Sequence, residues 1–152
     1  MKQLQEIVDF VFALQTRLKF GELSRAPLRL LRLQWQDDFV ECEWVARSPD
    51  IWDEGLECQI RDCHASLQAL KDAMAVRDVL FGTLPGVHEA VLRAFRPTAT
   101  AGRELIISGT VSRETLARSS VSSLVMEAKL SGLQFWLEDG VLKALQTEDV
   151  TV

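Results

Sequence analysis

Residues 31–46 read LRLQWQDDFVECEWVA, and this stretch decides the fold class. Apolar and polar residues alternate on both of its halves, as they do in a β-strand with one buried face. Gln36, Asp37 and Asp38 separate the two halves and favour a turn. The sequence therefore predicts a β-hairpin, and the inward-facing side chains of its second strand are expected to be Val40, Cys42, Trp44 and Ala46.

Amphipathic helices are predicted on both sides of this hairpin. Residues 2–19 place apolar side chains at the spacing of one helical face. A second helix is predicted over residues 64–81, with Asp62 placed to cap or enter it and Gly82 placed to end it. The segment between the hairpin and this helix, residues 48–55, contains proline and glycine and is expected to be a loop.

The C-terminal half contains further strand signals and one segment that stays open. Residues 87–96 fit either a short helix or a strand, and their flanking prolines favour the strand. Residues 104–112 are rich in β-branched side chains and predict a strand with a bulge at Gly109. Residues 121–130 match the helical and the strand period equally well, whereas residues 138–140 (EDG) predict the turn of a closing hairpin.

These elements predict an α+β fold. We expect an antiparallel sheet of about four to six strands, built from hairpins, with the N-terminal helix and the central helix packed on it. A chain of 152 residues is the size of one domain, and it is long enough to bury a core without disulfides. An alternative division gives two hairpin-plus-helix units, over residues 20–82 and 83–146.

Net charge and cysteine content indicate which partners the chain can bind and in which cellular compartment it is expected. The net charge of -5 disfavours binding to phosphate backbones, so no nucleic-acid partner is expected. No stretch approaches the roughly 20 apolar residues that span a bilayer. The odd number of cysteines, three, and the lack of an export signal at the N-terminus predict a cytoplasmic protein.

The sequence contains no catalytic motif that we recognise. The nucleophile-elbow, P-loop and dinucleotide-binding glycine patterns are absent, so no catalytic residue and no cofactor is predicted. Cys58, Cys63 and His64 have zinc-binding side chains, but one C-x4-C pair followed directly by histidine does not match the spacing of structural zinc sites. We therefore predict buried free cysteines and no metal.

Residues 50–54 (DIWDE) form the one loop whose composition suggests ligand binding. Asp50 and Asp53 flank Trp52, and an aromatic ring between carboxylates can hold a sugar, a cation or a basic peptide. His64 and Trp136 complete the candidate ligand-binding set, in a cleft expected between the sheet and the helices. In this hypothesis one of the two aspartates could act as acid or base.

The second half of the chain resembles a known family. From about Ser66 onward, a helix, a hairpin containing residues 107–111 (ISGTV) and the pair Gly132-Leu133 are similar to the BON domain family. The resemblance covers about half of the chain and implies association with membranes or the cell envelope. The chain departs from the family where Gly132-Leu133 stands in place of a second glycine-valine pair, so the predictions rest on the residues themselves.

Excess apolar character without catalytic residues favours a binding function. Phe10 and Phe12 widen the apolar stripe of the first helix beyond what one packing surface needs. We therefore expect a noncatalytic binding or assembly module that acts through protein–protein contact, either self-association or binding to another protein, with Phe10 and Phe12 at the interface. The alternative is a small-ligand binder or minor enzyme that uses the cleft described above.

Overall fold

The computed structural model describes residues 2–19, 28–47, 55, 57–98, 100, 102–116 and 123–145. In chain order its elements are α1 (Lys2–Arg17), β1 (Arg29–Gln36), β2 (Phe39–Val45), α2 (Cys58–Thr83), β3 (Glu89–Pro97), β4 (Arg103–Ser112), α3 (Arg113–Leu116), α4 (Leu124–Leu130), β5 (Leu133–Gln134), β6 (Trp136–Glu138) and β7 (Val141–Lys143). The predicted α+β class is confirmed.

Five strands form one sheet in the order β1-β2-β3-β4-β5, and β6 and β7 form a separate hairpin. Neighbouring strands of the sheet are antiparallel except β2 and β3, which run parallel with Cys42 opposite Leu92. Parallel neighbours need a long crossover connection, and here the crossover contains α2. The sheet is therefore mostly antiparallel, as expected. It consists of the hairpins β1-β2 and β3-β4, which pair in parallel through β2 and β3, and of the short strand β5 beside β4.

The main core lies on one face of the sheet. Val40, Cys42 and Trp44 of β2 are completely buried, as the alternation in residues 31–46 predicts, and Ala46 is partly buried against the same core. The opposite face of the sheet carries charged side chains, and Arg93 Nη1 lies 3.0 Å from Glu43 Oε2 there. One cluster of buried side chains extends from Phe10 of α1 to Leu142 of β7.

Helix α2 is longer than the sequence indicates. It begins at Cys58, with Glu57 rather than Asp62 at its N-cap position, and it continues through Gly82 to Thr83. Its extra first turn is supported from outside, because the side chains of Gln59 and Cys63 donate hydrogen bonds to the carbonyl of Asp139. Gly82 does not adopt the positive φ of a glycine that terminates a helix, so α2 continues past it.

The predicted bulge at Gly109 is wrong. The pairing of β3 with β4 shifts between Ala94 and Phe95, which leaves Ile106 as the extra residue. Gly109 itself pairs regularly with Leu133 of β5. A Cβ at Gly109 would lie 2.2 Å from the carbonyl oxygen of Gly132, so this glycine is needed for the close approach of two backbones.

The remaining segments resolve the open alternatives. Residues 89–97 form a strand, and residues 124–130 form a helix whose N-cap, Ser123, accepts a hydrogen bond from the amide of Met126. Asp139 and Gly140 both have positive φ, as a tight two-residue hairpin turn requires, so the predicted closing hairpin is confirmed. Residues 117–122 and most of the predicted loop at 48–55 lie outside the described residues.

Candidate functional site

Helix α1 has two apolar sides, and only one of them is used by the core. Phe10 is completely buried. Leu4, Val8 and Phe12 are four residues apart, lie on one line along the helix, and have 62%, 53% and 67% of their surface exposed. At 3.6 residues per turn, the apolar arc from Phe10 to Phe12 covers about 200° of the helix surface, where a single packing face needs little more than about 100°.

We call Leu4, Val8 and Phe12 the outer stripe. Of the two phenylalanines predicted at an interface, Phe12 belongs to this stripe, whereas Phe10 packs in the core of the isolated chain. Sequence periodicity identified the excess of apolar residues but not the direction of the core, which depends on how α1 packs on α2. An exposed row of large apolar side chains on a helix is the usual mark of a protein-binding surface.

A buried ion pair fixes the orientation of α1. The guanidinium of Arg47, which follows β2, donates to the carbonyl oxygens of Leu18 and Lys19 at the end of α1. Its Nε lies 2.8 Å from Oδ2 of Asp72 on α2, and both side chains are buried. Gln68 donates to the second oxygen of Asp72, at 2.9 Å. These bonds join the end of α1 to α2 and so fix which side of α1 faces outward.

The environment of Asp72 perturbs its acidity. Burial raises the pKa of the Asp72 carboxyl above its usual value, while the hydrogen bond and the positive charge of Arg47 act in the opposite direction. The net direction is upward, so the ionised carboxylate is costly to keep in this position. Because Asp72 is paired and enclosed, we assign it a structural role at the junction of α1 and α2.

A groove of about 280 Å³ lies beside the outer stripe, between α1 and the edge strand β1. Its lining is mainly apolar and consists of Val11, Leu14, Gln15, Leu18, Lys19, Leu28 and Leu30. Leu30, Leu33 and Trp35 of β1 are only partly buried against the core. The groove and the outer stripe thus flank the same helix, and together they extend the apolar surface from α1 towards the sheet edge.

A second cavity, of about 310 Å³, lies beside the C-terminal end of β2, between α2 and strands β3 and β4. Arg96 is anchored in its wall, because Nη1 donates to the carbonyl of Leu142 and Nε donates to Glu104, both at 2.8 Å. Ser66 accepts a hydrogen bond from the amide of Leu142. The remaining lining residues are Ala46, Arg47, Asp62, Ala65, Pro97 and Ile106. Sequence reasoning missed this cavity because its walls come from segments distant in the chain.

The predicted ligand-binding residues are not brought into one site by the described structure. Asp50, Trp52 and Asp53 lie outside the described residues. His64 is partly buried on α2 and Trp136 is 53% exposed on β6, and neither lines the two cavities above. Trp44 of β2 is completely buried in the core, and its indole nitrogen has no hydrogen-bond partner among the described residues.

The cysteines have structural surroundings where they are described. Burial raises the pKa of the Cys42 thiol to about 12, with a smaller contribution in the same direction from the charge of Glu43. Cys63 donates to the carbonyl of Asp139. Within the described part of the chain, no three histidine, cysteine, aspartate or glutamate side chains are grouped so that they could hold a metal ion.

Comparison of the chain with protein-family models, with characterised proteins and with solved structures found no match. The partial resemblance to BON domains is therefore not supported by a family match. Among the described residues, no helix has the length and apolar character needed to cross a membrane.

Proposed function

We propose that this protein is a binding or assembly module that makes protein–protein contacts through the outer stripe of α1. The observation that carries this proposal is the exposure of Leu4, Val8 and Phe12 on a helix whose opposite side is already buried. Arg47, paired with Asp72, donates to the carbonyls of Leu18 and Lys19 and so ties the C-terminal end of this helix to α2. A surface on an anchored helix loses less conformational entropy when it binds.

Covering the outer stripe would stabilise a complex through the hydrophobic effect. Each of the three side chains leaves half or more of its surface in water. Covering such a side chain stabilises a complex by about 1–2 kcal/mol, because complete burial of a valine, leucine or phenylalanine side chain contributes about 1.5–3 kcal/mol. The adjoining groove adds further apolar surface on the same side of the molecule. A partner that covers both would therefore gain more than a partner that covers the outer stripe alone.

Photo-crosslinking tests this proposal in cells. Phe12 is replaced by benzoylphenylalanine, and the same probe is placed at Thr110, an exposed position on the charged face of the sheet, as the control. We expect irradiation to give a discrete protein adduct from position 12 and none from position 110. The adduct should disappear when Val8→Ser is added. If position 12 gives no protein adduct, the proposed function is wrong.

We also propose a cytoplasmic location. Cys42 and Cys63 are free thiols, and a reducing compartment keeps thiols in that form. Fractionation of cells that express the tagged chain tests this location, and recovery of the protein outside the cytoplasm would contradict it.

A second candidate function is the binding of a small ligand in the cavity at the end of β2. The supporting observation is that this cavity of about 310 Å³ combines apolar residues such as Ile106 with polar groups that hydrogen bonds hold in place, among them Arg96. Ligand-observed NMR with a library of small neutral molecules tests this function. We expect binding to the wild-type chain that Ala65→Leu, which fills the cavity, abolishes. Equal binding by the wild-type chain and by Ala65→Leu would contradict it.

A further inference from the structure

The outer stripe is uncharged, and this property indicates what can cover it. The residues exposed around Leu4, Val8 and Phe12 on the same side of α1 are the neutral Gln5, Gln15 and Thr16. The nearest acid in the helix, Asp9, lies further round the helix and accepts a hydrogen bond from Gln5 at 3.0 Å. A second copy of the chain could therefore meet this surface with only uncharged side chains in the contact, and Asp9 of each copy would lie at its solvent-exposed rim, although each chain has a net charge of -5.

Resting on the proposed function, we propose that the partner of the outer stripe is a second copy of this chain, with the two α1 helices packed antiparallel and Val8 near the twofold axis. An antiparallel pair places the positive end of each helix dipole near the negative end of the other. A parallel pair would place like ends together. A twofold axis also lets one surface serve both partners, as is usual in homodimers.

This arrangement gives the groove an occupant. With Val8 on the axis, the partner's Leu4 lies opposite Phe12, about 6 Å along the helix from the axis at 1.5 Å per residue. When α1 is viewed down its axis, Leu4 lies between Val8 and Val11, on the side of the outer stripe that is next to the groove. The partner's Leu4 would therefore enter the groove beside Val11 and Gln15, and symmetry would repeat the same contact on the other side.

The contact is small for a permanent dimer. One helix face and one groove are expected to bury less than the roughly 800 Å² per partner of a standard interface. We therefore expect a dimer that dissociates in the micromolar range, with the monomer retaining its fold because its core is complete without the partner.

Cysteine crosslinking of the whole chain tests both the partner and the orientation. Cys58 and Cys63 are first replaced by serine, while the completely buried Cys42 is kept. Val8→Cys should then form a disulfide-linked dimer under mild oxidation. Gln15→Cys, whose two copies would be about 21 Å apart along the helices, should not. Sedimentation equilibrium of the wild-type chain should approach twice 17.1 kDa as concentration rises, and Phe12→Ser should weaken dimerisation at least tenfold.

The outcomes test the orientation, the second copy and the proposed function separately. Efficient crosslinking from Gln15→Cys together with Val8→Cys would show a parallel pair and would overturn the orientation. A wild-type chain that stays at 17.1 kDa at every concentration would overturn the second copy as the partner. If the chain stays monomeric, a photo-crosslink from position 12 to a different protein would still support the proposed function. A monomeric chain that gives no photo-crosslinked adduct would contradict the proposed function as well. Circular dichroism of each variant confirms that the fold is retained.

Discussion

Replacing Arg47 with methionine should destabilise the fold by about 3–5 kcal/mol at neutral pH, because it leaves the buried carboxylate of Asp72 without its charged partner. The two side chains are almost completely buried, and their closest atoms are 2.8 Å apart. The same change removes the donors to the carbonyls of Leu18 and Lys19, so the end of α1 loses its attachment to α2. A loss of this size is a large part of the total stability of an average domain, about 5–15 kcal/mol.

The loss should depend on pH, and the sign follows from the direction of the pKa shift. The pKa of Asp72 is raised in the folded state, so folded protein holds the proton at pH values where the unfolded chain has released it. The contribution of Asp72 to the free energy of unfolding is therefore highest below the pKa that its carboxyl has in the unfolded chain. This contribution falls as the pH rises through the higher pKa of the folded state. Without Arg47 the pKa should rise further, and the cost of the variant should be larger at pH 8 than at pH 4.5.

Urea denaturation at both pH values measures this cost. Arg32→Met is the matched control, because Arg32 is 52% exposed and pairs with Glu41 at 3.6 Å, and it should lose less than about 1 kcal/mol. The double variant with Arg47→Met and Asp72→Leu should recover much of the stability and lose the pH dependence. An Arg47→Met protein that loses no more than Arg32→Met, or loses the same amount at both pH values, would refute this reasoning.

Three further predictions follow from single residues. Phe10→Ala should lower the free energy of unfolding of the dilute monomer by about 3–5 kcal/mol in urea denaturation, because Phe10 is completely buried. Phe12→Ala should lower it by less than about 1 kcal/mol, and equal losses would mean that α1 buries a different face. Gly132→Ala should lower the free energy of unfolding by about 2 kcal/mol or more, because Gly132 has φ +111° and a Cβ there would lie 2.1 Å from the carbonyl oxygen of Thr110. Unchanged rates of amide hydrogen exchange in β4 would contradict this prediction. Cys42, whose thiol pKa is raised to about 12, should resist iodoacetamide at pH 8 until the chain is unfolded, and rapid labelling of native protein detected by mass spectrometry would show that it is accessible.

Local patterns in the sequence were sufficient for most of the elements. The alternation around Gln36–Asp38 predicts the first hairpin, and the residues Asp139 and Gly140 predict the last one, because both signals depend on neighbours in the chain. The parallel join of β2 to β3 could not be predicted in this way. It depends on the packing of α2, whose first turn is held by the distant carbonyl of Asp139.

The candidate surface was predictable only in part. The spacing of Leu4, Val8 and Phe12 shows that α1 has too many apolar residues for one face, but it does not show which of them the core takes. That choice depends on contacts between segments far apart in the sequence, namely the packing of α1 on α2 and the hydrogen bonds from Arg47, itself paired with Asp72, to the carbonyls that follow α1. Both residues look like ordinary surface charges in the sequence, since no local pattern indicates that a charged side chain will be buried.

A dilution series followed by two-dimensional NMR of the isotope-labelled chain tests the outer stripe as a contact surface most directly. As concentration rises through the micromolar range, the signals of Leu4, Val8 and Phe12 should shift together along one binding curve, and those of Thr110 on the charged face of the sheet should stay in place. If the α1 signals do not depend on concentration, or if the shifts map to another surface, the outer stripe is not where copies of this chain meet.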